Sequence, residues 1–304
     1  MKGRLPPWFK KKMPDPTVFT SMKSLVDGLS LHTICESALC PNQGDCFSHR
    51  TATFLILGDI CTRNCTFCAV KKGVPSPVDE EEPQHMIEAV ERLGLTHVVI
   101  TSVTRDDLSD GGATHFARTI ALLKERPTGV TVEVLIPDFR GSFQSLQTVV
   151  NARPDVINHN LETVPRLYPE VRPGTDFQRS LRLLGQAKEL DPRVVTKSGL
   201  MVGLGEIREE VLQAMEGLRQ VNCDLLTIGQ YLQPSAYNHP VVRYIPPEEF
   251  QEYESIGKAM GFCEVASAPL VRSSFNAAQL YAKARAKMVS GEVGKSVRVR
   301  EVHR

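Results

Sequence analysis

Between Thr53 and Ile228 the chain alternates short, continuously apolar β-rich runs with amphipathic helical segments, and nothing else in the sequence limits its fold so tightly. The runs are Thr53–Leu57, His97–Ser102, Val130–Ile136, Val156–Leu161, Val194–Val202 and Leu225–Ile228. They are apolar throughout rather than at every second position, which is the pattern of strands buried on both faces of a parallel sheet. The segments between them, near Glu80–Leu93, Thr114–Glu125, Ser142–Ala152, Phe177–Glu189 and Glu209–Val221, carry helical periodicity. In the last of these, Val211, Leu212, Met215 and Leu218 make one apolar face. Pro83 suits the first turn of its helix, where a missing N–H costs little. This order predicts an α/β fold, either an open doubly wound sheet or a β/α barrel. Polar residues gather after the runs: Thr101 and Ser102, then Asp138 and Arg140, then Asn158 to Glu162. In a β/α barrel, chemistry sits at that end of the strands.

The chain has 304 residues, 41% hydrophobic and 23% charged, enough for one large domain with appendages or two modest ones. Composition divides it into an irregular, cysteine-rich segment 1–50, the alternating units 51–246, and a tail 247–304. The tail opens with a helical pattern over Pro247–Met260, then runs extended to Arg272-Ser273-Ser274-Phe275. There is no internal repeat. Net charge is +1, so no bulk field points to nucleic acid or to a membrane. Lys2, Arg4, Lys10, Lys11 and Lys12 make the start basic, as a solvated tail or as a contact for an acidic partner. That start lacks an apolar core and holds Pro6, Pro7, Pro14 and Pro16, unlike a secretory signal. No stretch approaches the roughly 18 apolar residues of a spanning helix. The expected location is the cytoplasm, where thiols stay reduced.

Eight cysteines then need a purpose other than disulfides, and six of them fall between Cys35 and Cys68. Such crowding in a reduced compartment indicates metal binding. Cys61-Thr-Arg-Asn-Cys65-Thr-Phe-Cys68 follows the first strand after Gly58-Asp59. Three thiolates this close reach three corners of a [4Fe–4S] cube, so either a distant residue completes the set or one iron stays open. Structural zinc sites favour Cys-x-x-Cys pairs and four protein ligands, a poorer match. Cys35-x4-Cys40-x5-Cys46 is a second incomplete triplet, with the turn formers Pro41, Asn42, Gly44 and Asp45 inside it. Each triplet nearly fills a site alone, so two clusters fit better than one shared. His32 and His49 flank the second triplet and could ligate, with a surface or packing role expected for each. Cys223 and Cys263 sit in apolar contexts and read as structural thiols.

Cys-x3-Cys-x2-Cys on the loop after the first strand of a β/α chain resembles the radical S-adenosylmethionine (SAM) superfamily, and Phe67 before the last cysteine fits that pattern. The resemblance implies that the open iron chelates the amino and carboxylate groups of SAM. An electron from the reduced cluster then breaks a carbon–sulfur bond and yields a 5′-deoxyadenosyl radical. The second triplet, taken with Arg272-Ser273-Ser274-Phe275, is similar to the lipoyl synthase family. That similarity runs through Thr104-Arg105-Asp106-Asp107-Leu108, Val134 to Gly141, Asn158 to Val164, Val171 to Gly174, Thr196 to Met201 and Gly229 to Pro234. One departure is Phe275, where the family usually has Tyr. The missing hydroxyl should tune the site rather than abolish it.

The fold this resemblance implies is a partial (β/α)6 barrel of the TIM type, with N- and C-terminal extensions that bind a cluster. The implied reaction inserts sulfur at C6 and C8 of an octanoyl chain amide-linked to a lysine of a carrier protein. Each insertion uses one SAM, and an auxiliary [4Fe–4S] cluster on Cys35, Cys40 and Cys46 is consumed as the sulfur source. Ser273, or its neighbour Ser274, is the implied fourth ligand; a serine oxygen is harder than a thiolate and leaves its iron the easiest to release. Asn160, Glu162, Lys197, Ser198, Arg172 and Arg140, at or near the strand ends, are candidates for SAM binding, with structural hydrogen bonding at the barrel rim the alternative for all six. His159 reads as a satisfied core histidine, because a hydrogen-atom transfer needs no side-chain base. Implied partners are the octanoylated acyltransferase (E2) of a 2-oxoacid dehydrogenase or the glycine-cleavage H protein, a low-potential ferredoxin or flavodoxin, and an iron–sulfur carrier for cluster repair. A two-cluster electron carrier is the non-enzyme alternative, and it leaves both missing fourth thiolates unexplained.

Overall fold

The computed structural model describes residues 5–9, 16–48, 51–126 and 129–290. The basic residues Lys2, Arg4, Lys10, Lys11 and Lys12, and also Pro14 and His49, lie outside the described residues. In chain order the strands are β1 (His32–Thr33), β2 (Thr53–Ile56), β3 (Ile60–Cys61), β4 (Lys71–Lys72), β5 (His97–Ser102), β6 (Thr131–Leu135), β7 (Val156–Asn158), β8 (Val195–Val202), β9 (Leu225–Gln230) and β10 (Glu264–Ser267). Eight of them form one sheet in the order β1-β2-β5-β6-β7-β8-β9-β10, while β3 and β4 make a small separate ribbon. From β2 to β10 every pairing is parallel, and β1 alone runs antiparallel, on β2. The sheet order is linear among the described residues, so the barrel is partial.

All six runs expected from the sequence are strands of this sheet, because each presents apolar side chains to both the interior and the surrounding helices. Val98, Ile100, Val132, Val134, Ile157 and Leu226 are wholly buried. The helices Glu82–Leu93, Ala113–Lys124, Phe143–Asn151, Phe177–Leu190 and Arg208–Gln220 fall within a few residues of their expected positions. Pro83 sits in the first turn of its helix, as expected.

Three features differ from the sequence reading. The first 50 residues are not irregular: Pro16–Gly28 is helical, short helices carry Ile34–Ser37 and Gln43–Ser48, and β1 extends the sheet. The parallel strands number seven rather than six, because β10 pairs with β9. Glu-Val-Ala-Ser lacks an apolar run, so its strand character depends on a neighbour supplying the ladder. The sheet therefore passes through the boundary expected at 246 without a break, by way of the helix Pro247–Ala259. Third, Ala277–Ser290 forms a helix whose Leu280 and Ala284 pack with Val156, Val195 and Leu225, the first residues of β7, β8 and β9. The Tyr281 ring lies 6.1 Å from that of His97, the first residue of β5. This helix closes the amino-terminal end of the barrel and leaves the opposite end open.

Candidate active site

At the carboxyl ends of the strands the structure holds a cavity of about 470 Å³. Its wall includes Cys61, Cys65 and Cys68, together with Cys35, Cys40, Ser273 and Ser274. Asn160, Glu162, Arg172, Phe67 and Tyr231 contribute as well. Cys46, half-buried on the helix Gln43–Ser48, stands behind this wall, yet its charge acts on the Cys35 thiol. His32 belongs to β1 and is not part of the wall.

The Cys61–Cys68 loop is held in a mould made by three other segments. It starts at a sharp turn, with Leu57 at φ +67° and Gly58 at φ +88°. A left-handed leucine costs on the order of 1–3 kcal/mol, so the surroundings must impose it. The Leu57 N–H donates to Glu82 Oε2 at 2.8 Å, and the Leu57 carbonyl accepts from Arg105 Nη1 at 3.1 Å. Gly112 gives the side chain room, since a Cβ there would lie 2.2 Å from Leu57 Cδ1. Further on, the Thr62 amide and hydroxyl both donate to the Thr104 carbonyl, and the Asp106 amide donates to Thr62 Oγ1. Arg63 grips Asp106 through Nε at 2.8 Å and Nη2 at 2.9 Å, and reaches Asp138 Oδ1 at 2.5 Å. Burial alone would push the Asp138 carboxyl up, but the Arg63 guanidinium holds it below the usual carboxylate range. At the far end, Asn238 Nδ2 donates to the carbonyls of Thr66 and Cys68, both at 3.0 Å. These partners were not assigned roles from the sequence. Thr104-Arg105-Asp106 carried a signal as a motif, whereas Asn238 carried none.

The thiols suit a metal cluster. Burial pushes Cys68 and Cys35 up to about 12 and raises Cys65, although the Arg172 charge works the other way at Cys65. Cys61 and Cys65 act on Cys68, while Cys40 and Cys46 act on Cys35, so each triplet forms its own electrostatic group. Thiols raised in this way become thiolates only with nearby positive charge, which Arg172 supplies at Cys65 and which a bound metal supplies when it ligates them. Among the described residues no three His, Cys, Asp or Glu side chains close on a single-ion site.

The two triplets are joined through the C-terminal segment. Asn42, between Cys40 and Cys46, donates from Nδ2 to the Leu270 carbonyl at 2.7 Å. Gly229 lets that segment approach β9: a Cβ there would meet the Val271 carbonyl oxygen at 2.1 Å. Ser273 then comes within 2.6 Å of Asn160 Nδ2, and the same amide nitrogen donates to Glu162 Oε1 at 3.0 Å. Gly199 makes space for Asn160, whose Oδ1 is buried without a partner and would lie 2.7 Å from a Cβ at that position. Arg172 Nη1 donates to the Asn160 carbonyl at 3.0 Å and to Tyr168 Oη at 3.2 Å. Burial raises the Glu162 carboxyl, opposed by the Arg172 charge.

Of the six expected SAM contacts, Asn160, Glu162 and Arg172 reach the cavity, and the other three do not. Lys197 is fully buried within the barrel, with Nζ 2.8 Å from Glu133 Oε1. At that register the side chain meets a carboxylate from β6, two strands away, which is the structural alternative for this residue. Ser198 is buried beside it and accepts from the Leu161 amide at 3.2 Å. Arg140 is turned to solvent, its side chain 68% exposed and 3.3 Å from Asp106. His159 is a satisfied core histidine, with Nδ1 2.8 Å from the Ile136 carbonyl and Nε2 3.0 Å from Ser180 Oγ.

Among solved structures, the chain is similar in fold to Streptococcus suis SuiB bound to S-adenosylmethionine. The TM-score is 0.55 at 12% identity, covering 75% of this chain and 53% of that one. It also resembles HydG, a maturase of the [FeFe]-hydrogenase, with a TM-score of 0.53 at 13% identity, covering 82% and 55% of the two chains. Residues 55–218 match the radical SAM superfamily. A partial β/α barrel with three cysteines on its first loop, facing the open end, therefore makes this a radical SAM protein. Residues 1–40 match the N-terminal domain of lipoyl synthase. The lipoyl synthase of Caldanaerobacter subterraneus subsp. tengcongensis is 58% identical over 277 residues, 91% of this chain and 97% of that one. That of Rubrobacter xylanophilus is 54% identical, over 90% and 85%. The chain belongs to the lipoyl synthase family. It is an enzyme that uses SAM and [4Fe–4S] clusters to insert sulfur in making the lipoyl group, and it acts on lipoyl carrier proteins.

Proposed function

We propose that the two cysteine triplets divide the work of lipoyl formation around one cavity. Cys61, Cys65 and Cys68 are the ligands of the SAM-binding cluster; Cys35, Cys40, Cys46 and Ser273 are those of the auxiliary cluster. The reaction inserts two sulfur atoms, at C6 and C8 of an octanoyl chain amide-linked to a carrier lysine. When bound, the first cluster with SAM supplies a 5′-deoxyadenosyl radical, and the auxiliary cluster supplies the sulfur. The observation that carries this reading is that Cys61, Cys65 and Cys68, two members of the second triplet (Cys35 and Cys40) and Ser273 belong to the wall of a single cavity.

The remaining residues bind, orient and exclude water. Leu55, Val103, Leu135, Ile136 and Leu232 give the cavity apolar surface for an alkyl chain, keeping water from a reactive radical. Glu162, Asn160 and Arg172 present a carboxylate, an amide and a guanidinium toward SAM, whose amino, carboxylate and ribose groups need such partners. No base is required: His159, the nearest candidate, has both ring nitrogens engaged. Ser273 offers the auxiliary cluster one oxygen ligand, with Asn160 fixing its hydroxyl.

The carriers we assign are the acyltransferase (E2) of a 2-oxoacid dehydrogenase and the glycine-cleavage H protein. A ferredoxin or flavodoxin delivers the low-potential electron, and an iron–sulfur carrier protein rebuilds the consumed cluster. No helix among the described residues is long and apolar enough to cross a membrane, and none of the eight cysteines is in a disulfide. The setting we assign is the cytoplasm, where thiols stay reduced. The test is anaerobic: reconstituted protein, a low-potential reductant, SAM and an octanoyl-lysine peptide should give 5′-deoxyadenosine and a dithiolated peptide by mass spectrometry. Deoxyadenosine without sulfur insertion overturns the reading.

A further inference from the structure

Nine large apolar side chains are exposed among the described residues. Three of them, Leu5, Trp8 and Val289, lie near the chain ends. The other six are Leu39, Val74, Phe143, Ile207, Tyr237 and Val242. Leu39 is part of the cavity wall, next to Cys40. The remaining five stand on segments that leave the carboxyl ends of the strands: Val74 after β4, Phe143 after β6, Ile207 after β8, and Tyr237 and Val242 after β9. None of these five stands on the connections that enter strands at the closed end; of the nine, Val289 alone belongs to the helix Ala277–Ser290 that covers that end. Single exposed apolar residues are ordinary, but this one-sided distribution around a cavity mouth is the signature of a surface that meets a partner.

The most exposed of them are held in place. Tyr237 is 99% exposed, yet the neighbouring Ser235 Oγ donates to Asn238 Oδ1 at 2.7 Å and accepts from the Tyr237 amide at 3.3 Å. The Gln233 side chain donates to the Asn238 carbonyl at 2.8 Å, and Asn238 is itself bonded to the Cys61–Cys68 loop. Val74 is 91% exposed and follows Gly73, whose amide donates to the Cys61 carbonyl at 3.1 Å. Both residues are therefore braced against the segment expected to bind SAM. Rigid aromatic and aliphatic anchors of this kind lose little entropy on association, which is how such residues come to dominate interfaces.

We infer that this rim, with Tyr237 and Val74 as its anchors, is the docking surface for the folded carrier domain that presents the octanoyl-lysine. The inference rests on the proposed function. A finite acyl-lysine arm reaching the cavity floor brings its carrier's own surface down onto the mouth, so the occupant follows from continuity with the cavity. The exposed Lys72, which lines the cavity on β4, adds a positive group for an acidic carrier face.

The test separates docking from chemistry by using two substrates. With intact octanoylated carrier domain, Tyr237→Ala and Val74→Asp should each raise KM about tenfold, as loss of one good anchor does, with kcat little changed. With a short octanoyl-lysine peptide, which cannot touch the rim, both variants should match the parent. Unchanged KM for the carrier overturns the inference. Equal losses on carrier and peptide overturn it too, because the rim would then be acting through the cavity. A defect that follows the protein electron donor and disappears with dithionite also overturns it, assigning the rim to that donor instead. If the parent protein turns over neither substrate, the proposed function fails rather than the docking surface.

Discussion

Asn160 Nδ2 lies 2.6 Å from Ser273 Oγ, although 113 positions separate the two residues. Ser273 thereby becomes a positioned hydroxyl on the cavity wall rather than a free side chain. Ser273→Ala should retain SAM cleavage to 5′-deoxyadenosine and lose dithiolated product, with iron content falling in step with auxiliary-cluster loss. Asn160→Ala removes that support together with the amide offered to SAM, and partners of this kind cost about 10–100-fold in occupancy or activity. Sulfur insertion equal to the parent in both variants would remove Ser273 from the ligand set.

The grip of Arg63 on Asp106 and Asp138 should set the geometry of the Cys61–Cys68 loop. The Asp138 side chain is fully buried, so Arg63→Met strips it of one of its two arginines. Stability should fall by about 3 kcal/mol, since a buried carboxylate loses compensation. Deoxyadenosine formation should drop more steeply than auxiliary iron content, because the mould serves only the first triplet. Equal losses in both would show Arg63 to be a purely global stabiliser.

Lys197 and Glu133 are both fully buried and pair with each other at 2.8 Å. Burial would raise the Glu133 carboxyl, but Lys197 holds it below the usual range. Lys197→Met should therefore cost about 3–5 kcal/mol, while Lys197→Met with Glu133→Leu should recover most of it. SAM affinity of the folded double variant should equal the parent's by calorimetry. A large loss of SAM affinity there would return Lys197 to the binding site.

His159 is held down to about 4 by burial and then by the Arg172 charge. Its folded value lies below the unfolded 6.5, so the unfolded chain takes up the proton first as pH falls. The stability it contributes is intact above about pH 6.5 and is lost progressively toward pH 4, up to about 3 kcal/mol in all. Urea midpoints of the parent and of His159→Gln, measured anaerobically from pH 7 to pH 5, should converge as pH drops. Parallel midpoints across that range would show that His159 titrates normally.

Several elements were legible because their signals are local. The six apolar runs and the helices between them depend on neighbouring residues, and periodicity reports them directly. The strand β10 and the helix Ala277–Ser290 were not legible: the first needs β9 beside it, and the second needs the first residues of β7, β8 and β9 to pack on. Arg140, Lys197 and Ser198 carry the right chemistry at the right end of a barrel pattern. A strand one residue out of register, or a loop turned outward, sends such a side chain elsewhere.

The sequence by itself determined the ligand types and their spacing: two triplets of thiols, each one short of a complete site, ahead of and inside the first β/α unit. Cysteine chemistry and short loops are properties of consecutive residues, so they need no fold to be read. Only the tertiary structure decided that Cys35 and Cys40 share a cavity wall with Cys61, Cys65 and Cys68, that Asn160 braces Ser273, and that Thr104, Arg105, Asp106, Asp138 and Asn238 shape the loop between Cys61 and Cys68. Those relations join residues that the chain keeps far apart, and only the closure of the sheet and its loops brings them together.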